Sequence, residues 1–176
     1  MKQAIYKFLL LTLLAMVGVI NAAADECYLD GICYNLDASK KTAEVRKNDK
    51  EENTGSIVIP SKITYKGAEY SVTSIGWCAF QRCSGLTSVT IPESVTSIGG
   101  SAFNGCSGLK SLTIPESVTS IGDHAFSGCS KLTSVKIPSS VTTIESGAFS
   151  GCSILTSITI PEGVTSIGVS AFRDCI

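Results

Sequence analysis

The chain has 176 residues, 44% of them hydrophobic and 16% charged, with a formal net charge of -1 and a single histidine. That balance suits one globular domain and carries no basic stripe of the kind that nucleic acid requires. One histidine also leaves no Cys-His pair or nucleophile triad to be assembled from these residues.

In chain order, the first feature is an apolar run from Phe8 to Ile20, with Lys2 and Lys7 at its start and Ala22, Ala23 and Ala24 after it. The run is shorter than the roughly 20 residues that span a bilayer, and the small residues match a cleavage site, so residues 1–24 are expected to be a signal peptide. Its removal would take two lysines away and leave a formal charge of -3. Residues 25–56 are charged and irregular, and are expected to form an N-terminal cap. Within them Ile32, Tyr34 and Leu36 alternate with Cys33 and Asn35, the period of a half-buried strand, and Ala43 to Lys47 is its expected partner.

A polar loop from Asp49 to Gly55 leads into Ser56-Ile57-Val58-Ile59-Pro60, the first appearance of a pattern that then repeats. Phe80, Phe103, Phe126, Phe149 and Phe172 fall 23 residues apart, as do Cys83, Cys106, Cys129, Cys152 and Cys175. Pro92, Pro115, Pro138 and Pro161 keep the same period, whereas Pro60 precedes Pro92 by 32 residues. The nine extra residues of the first coil include Tyr65-Lys66-Gly67-Ala68-Glu69-Tyr70, which reads as a hairpin bulging from the corner after Pro60.

Within one repeat, Leu86, Val89 and Ile91 point inward along a short strand and Ser88 and Thr90 point out. Pro92 ends the strand by removing a backbone donor. Val95 and Ile98 begin a second inward row, and the segment after Gly99 is long enough for about one helical turn, with Ala102, Phe103 and Cys106 facing in. One coil buries little alone, but stacked coils make a continuous core. The expected fold is a repeat solenoid, mainly β, over residues 57–176, with about five coils. Each coil has two short parallel strands and about one helical turn, and a β-hairpin caps the N-terminal end.

The motif Leu-x-x-Val-x-Ile-Pro-x-x-Val-x-x-Ile-Gly-x-x-Ala-Phe-x-x-Cys resembles the BspA-like bacterial surface leucine-rich repeats over about 120 residues, from Ile57 onward. Asp30-Gly31-Ile32 with Tyr34 and Leu36 is similar to the N-terminal cap of such proteins. The resemblance implies a secreted or surface-attached protein whose repeats bind host or neighbouring-cell proteins in adhesion. The residues themselves lead to the expectation of no enzyme activity, no cofactor, no metal and no nucleic-acid partner.

Cysteines at equivalent positions of stacked coils lie about 4.8 Å apart with parallel Cβ vectors, wider than a disulfide prefers. Cys83, Cys106, Cys129, Cys152 and Cys175 are therefore expected to form a structural ladder of buried thiols. Cys27 and Cys33 lie outside the repeats and close together, which leaves a disulfide between them open. Cys78 shares its repeat position with His124, where Ser101, Gly147 and Ser170 stand in other coils, and is expected at the surface. His124 has no Cys-x-x-Cys pair to join it in a zinc site.

The candidate binding face is the outward side of the first strand of each coil: Ser88, Ser111, Ser134 and Ser157 in one column, and Thr90, Thr113, Lys136 and Thr159 in the next. Two further uses of such a face are a flat Ser/Thr ladder that matches ice or mineral, against which Lys136 interrupts the row, and a structural scaffold without a specific ligand. The partners expected are extracellular or host surface proteins. Phe172 and the strand around Ile158 have no coil after them in this sequence, so end-to-end self-association or a longer array is expected.

Overall fold

The computed structural model describes residues 25–49 and 52–175, so the expected signal peptide, residues 1–24, lies outside the described residues. The described fold is mainly β, built from strands and turns, with no helix among the described residues.

The first three strands, β1 (Asp25–Leu29), β2 (Ile32–Asp37) and β3 (Thr42–Arg46), form an antiparallel ribbon. Asp30 and Gly31 join β1 to β2 with φ of 48° and 83°, the left-handed pair that a two-residue hairpin turn needs. Alternation along β2 and β3 buries Ile32, Tyr34 and Leu36 against Ala43 and Val45. The β2–β3 pairing follows the sequence pattern, whereas β1, rich in charge and with only Cys27 fully turned inward, does not show in it.

Tyr34 is wholly buried, and its hydroxyl meets no hydrogen-bond partner among the described residues. A buried polar group left without a partner loses its hydration for nothing. Tyr34→Phe is therefore expected to raise stability by about 1 kcal/mol, measured by chemical denaturation; a loss of similar size would show that the hydroxyl is in fact satisfied.

Next comes β4 (Gly55–Val58), then a hairpin of β5 (Lys62–Tyr65) and β6 (Ala68–Ile75) turned by Lys66 and Gly67. This is the insertion that the Pro60 to Pro92 spacing reveals. Each later repeat contributes one strand to each of two faces. On one face run β7 (Leu86–Thr90), β9 (Ser111–Thr113), β11 (Ser134–Lys136) and β13 (Ser157–Thr159). On the other run β8 (Ser97–Ile98), β10 (Ser120–Ile121), β12 (Thr143–Ile144) and β14 (Ser166–Ile167). Neighbours pair in parallel with a 23-residue offset, as in Val89 opposite Leu112 and Ile98 opposite Ile121. β3 lies parallel to β6, which joins the ribbon to the second face.

The third side of each repeat corrects the expectation of a helical turn. In a helix every amide would bond within its own segment. Here they alternate: the amides of Cys78, Phe80 and Arg82 bond to the carbonyls of Gly100, Ala102 and Asn104 in the next repeat, at 2.7 to 3.0 Å. The amides between them, of Ala79, Gln81 and Cys83, close tight turns onto Gly76, Cys78 and Phe80. Two residues per repeat, such as Ser101 (φ 55°) and Gly105 (φ 74°), take the left-handed conformation that this ladder of turns demands. The local strain is held by the bonds to the neighbouring repeat.

Inside, Phe80, Phe103, Phe126, Phe149 and Phe172 stack with centroids 5.2 to 5.7 Å apart and planes within 12°. Leu109, Val118, Ile121 and Ala125 are among the wholly buried residues of the same core. The strand pairing on both faces is interrupted at one step: β9 does not pair with β11, nor β10 with β12.

Candidate binding face

Parallel pairing fixes which side chains line up. Ser88 stands opposite Ser111 and Thr90 opposite Thr113, while Ser134 stands opposite Ser157 and Lys136 opposite Thr159. All of these are exposed except Ser88, which is partly covered, because residues between them, Val89, Leu112 and Val135, turn into the core. The sequence-derived columns thus stand side by side on one face, divided by the interruption between β9 and β11.

Two further members were missed. Ser56 lies opposite Ser88, whose hydroxyl donates to it at 2.8 Å, and Val58, opposite Thr90, is 69% exposed at the head of the threonine column. The match of Ser56-Ile57-Val58-Ile59-Pro60 to the repeat was the signal that could have placed them. Glu116 was missed too. Its carboxylate accepts from Lys136 Nζ at 2.6 Å and from the amide and hydroxyl of Ser139 at 2.9 and 3.1 Å. These donors hold its pKa down to about 2, so it stays charged through the physiological range.

At the interruption the face is concave. A cleft of about 370 Å³ opens between β9 and β11, with Leu112, Ile114 and Val135 in its lining and Glu93, Glu116 and Lys136 around it. A larger concavity of about 450 Å³ lies on the N-terminal ribbon beside Tyr28 and Cys33, but its cation, Arg46, is already committed to Glu26 at 2.6 Å and Asp49 at 3.2 Å.

The cysteine column sits on the turn side. The thiols of Cys106, Cys129, Cys152 and Cys175 donate to the carbonyls of Phe80, Phe103, Phe126 and Phe149 in the preceding repeat, at 3.0 to 3.3 Å. Each of those carbonyls also accepts the amide of its own repeat's cysteine. Burial pushes the Cys106 and Cys152 thiols up to about 12 and raises Cys129 well above its ordinary value.

The expectation that Cys78 is exposed is corrected, since only 2% of it meets solvent. The loop after β3 brings Lys47 near its thiol, a contact between segments far apart in the repeat pattern. Cys27 lies opposite Tyr34 and Cys33 opposite Tyr28, so their side chains leave opposite faces of the ribbon, and the two are not bonded to each other. His124 is exposed on the turn side, its imidazole over Gly147. Trp77, 76% exposed, lies beside Gly100 on that side. No group of three or more His, Cys, Asp or Glu residues that could hold a metal occurs among the described residues. No helix among them is long and apolar enough to cross a membrane.

A mainly β stack of repeats with an exposed polar face defines a repeat module of the interaction type. The chain belongs to the BspA-type leucine-rich repeat family, whose profile matches six copies over residues 50–176. No curated protein matches it.

Among solved structures it is similar to a leucine-rich repeat protein of T. pallidum, with 30% identity and a TM-score of 0.73, over 86% of this chain and 68% of that one. A leucine-rich cell surface protein of Faecalibacterium prausnitzii is 29% identical with a TM-score of 0.58, over 86% of this chain and 52% of that one. This chain therefore spans about half the length of that relative. A leucine-rich repeat protein of Bacteroides capillosus is 25% identical with a TM-score of 0.60, over 82% of this chain and 97% of that one.

Proposed function

We propose that the chain is a secreted or cell-surface module that binds host or neighbouring-cell proteins in adhesion, using the outward columns of β7, β9, β11 and β13. In this reading the repeats form a solenoid, and the ribbon of β1, β2 and β3 caps its N-terminal end. The observation that carries it is the alignment of Thr90 with Thr113 and of Lys136 with Thr159 on an exposed face whose intervening Val89, Leu112 and Val135 are buried and whose Ile158 is partly so. Such rows make a surface too broad for a small molecule and suited to an extended one. That the F. prausnitzii relative is a cell surface protein supports the location.

Four strands at about 4.8 Å give a face only some 20 Å long, small against the roughly 800 Å² per partner of a standard interface. Single copies therefore bind modestly, and tight adhesion comes from several copies acting together. Replacing Thr90, Thr113 and Lys136 together with Glu is expected to weaken adhesion to immobilised extracellular-matrix protein by about tenfold or more. A variant changed at Gly100, Asp123 and Ser146, on the turn side, serves as the comparison. Loss in the turn-side variant with retention in the strand-side variant would place binding on the other face.

A further inference from the structure

The interruption between the third and fourth repeats has a local cause. The residue that leaves the second strand of a repeat is Gly99, Gly122 or Gly168, but in the fourth repeat it is Glu145. A Cβ built on Gly99, Gly122 or Gly168 would lie 2.8, 2.6 or 2.5 Å from backbone atoms of the preceding repeat, closer than real Cβ contacts come. A side chain at this position therefore fits only if its repeat stands off from the one before.

The hydrogen bonds show that separation. The amides of Gly99, Gly122 and Gly168 bond to the carbonyls of Ile75, Ile98 and Ile144 at 2.7 to 2.9 Å, but the equivalent bond from Glu145 to Ile121 is missing. The amides of Thr96, Thr119 and Thr165 reach Thr73, Thr96 and Thr142 at 2.8 to 2.9 Å, while Thr142 makes no such bond to Thr119. On the strand face, Lys110 bonds to Thr87 and Thr156 to Thr133 at 3.1 Å, yet Thr133 makes none to Lys110. The turn side stays closed: Phe126 still bonds to Ala148 at 2.8 Å, and the Phe126 and Phe149 rings keep their 5.3 Å spacing. The gap is thus confined to the two strand rows: the aromatic stack is shut on one side of them, and at the corner between them Ser140 Oγ still donates to the carbonyls of Glu116 and Val118.

We propose that Glu145 is a spacer that holds the third and fourth repeats apart, and that the cleft it opens on the strand face seats an extended peptide segment bearing an apolar side chain next to a basic one. The occupant follows from the lining. Leu112, Ile114 and Val135, each buried to within 8% of full cover, show narrow apolar edges at the base of the cleft, at the step where the described strands part. On the rim Lys136 is bound to Glu116 at 2.6 Å, whereas Glu93 is exposed and has no ion-pair partner among the described residues. The rim therefore carries one negative charge to be matched, and a peptide that brings a cation beside its apolar residue matches it. This deepens the strand-face reading and rests on it.

The test uses the full chain and Glu145→Gly. Hydrogen exchange of the amides of Thr133, Thr142 and Glu145 is expected to be at least about tenfold faster than that of Lys110, Thr119 and Gly122, and to slow to their level in the variant. The converse substitution, Gly122→Glu, should open a second gap, read as faster exchange at Gly122 itself. Seam amides already as protected as their equivalents overturn the spacer.

Docking is read with a fluorescent peptide alternating valine with lysine, and with a valine–glutamate peptide as control. The first should bind the parent chain, about tenfold more weakly to Glu145→Gly, and more weakly to Glu93→Gln as well. Equal binding by parent and Glu145→Gly, once exchange shows the gap closed, overturns the cleft as the seat and leaves the spacer standing. Retained matrix adhesion in the triple strand-face variant, with loss in the turn-side variant, overturns the strand-face reading itself.

Discussion

Phe126→Ala is expected to destabilise the chain by about 3 to 5 kcal/mol. The ring is wholly buried and lies between Phe103 and Phe149, with centroids 5.3 Å away on each side and planes within 12°. Removing it leaves a void with packed walls above and below, and those walls cannot collapse, because the turn ladder fixes the repeat spacing through the bond from the Phe126 amide to Ala148. Domains of this size are stable by only about 5 to 15 kcal/mol, so the loss is a large fraction of the total. Phe172, partly exposed and stacked only on Phe149, should cost clearly less when changed to Ala. The two midpoints in urea decide the matter, and equal losses for Phe126 and Phe172 would mean that the stack is not what holds the repeats.

The columns were legible because a stack of identical repeats converts period into place. Leu86 and Leu109, or Phe103 and Phe126, occupy equivalent sites, so their recurrence reports directly which side chains face the core. The insertion was legible for the same reason, since the 32 residues from Pro60 to Pro92 overrun a period of 23 and the surplus contains Lys66-Gly67.

The turn side was not legible. A segment such as Gly99 to Cys106 is long enough for a helical turn, and nothing in its composition says that alternate amides will bond to the next repeat instead. The burial of Cys78 was hidden as well, because it depends on the loop around Lys47, outside the repeat register. Glu145 was visible as the odd member of a glycine row. Its consequence depends on how near the preceding backbone lies, 2.5 to 2.8 Å from where a Cβ would stand on the glycines of that row, which no pattern of residue types states.

The cysteine column should show itself as a set of protected thiols. Unfolded protein is expected to titrate at least five free thiols, whereas Cys106, Cys129 and Cys152 in the native chain should react on the order of a thousandfold more slowly than an exposed thiol. Burial is the main cause, since the thiolate, which is the nucleophile, loses its hydration there and the Cys106 and Cys152 pKa values rise to about 12. The sign for stability follows from the same shift. Below the ordinary thiol value of 9.0 both folded and unfolded states hold the proton, and the stabilising preference for the neutral thiol is fully present. Between pH 9 and about 12 the unfolded chain ionises first, so stability should fall steadily as pH rises through that window. Replacing Cys106 and Cys152 together with Ser should lessen that fall, because a hydroxyl does not ionise there, while Cys129 keeps part of it. A disulfide between Cys106 and Cys129 found by mass spectrometry, or a stability that stays level from pH 8 to pH 11 in the parent chain, would contradict the buried-thiol ladder.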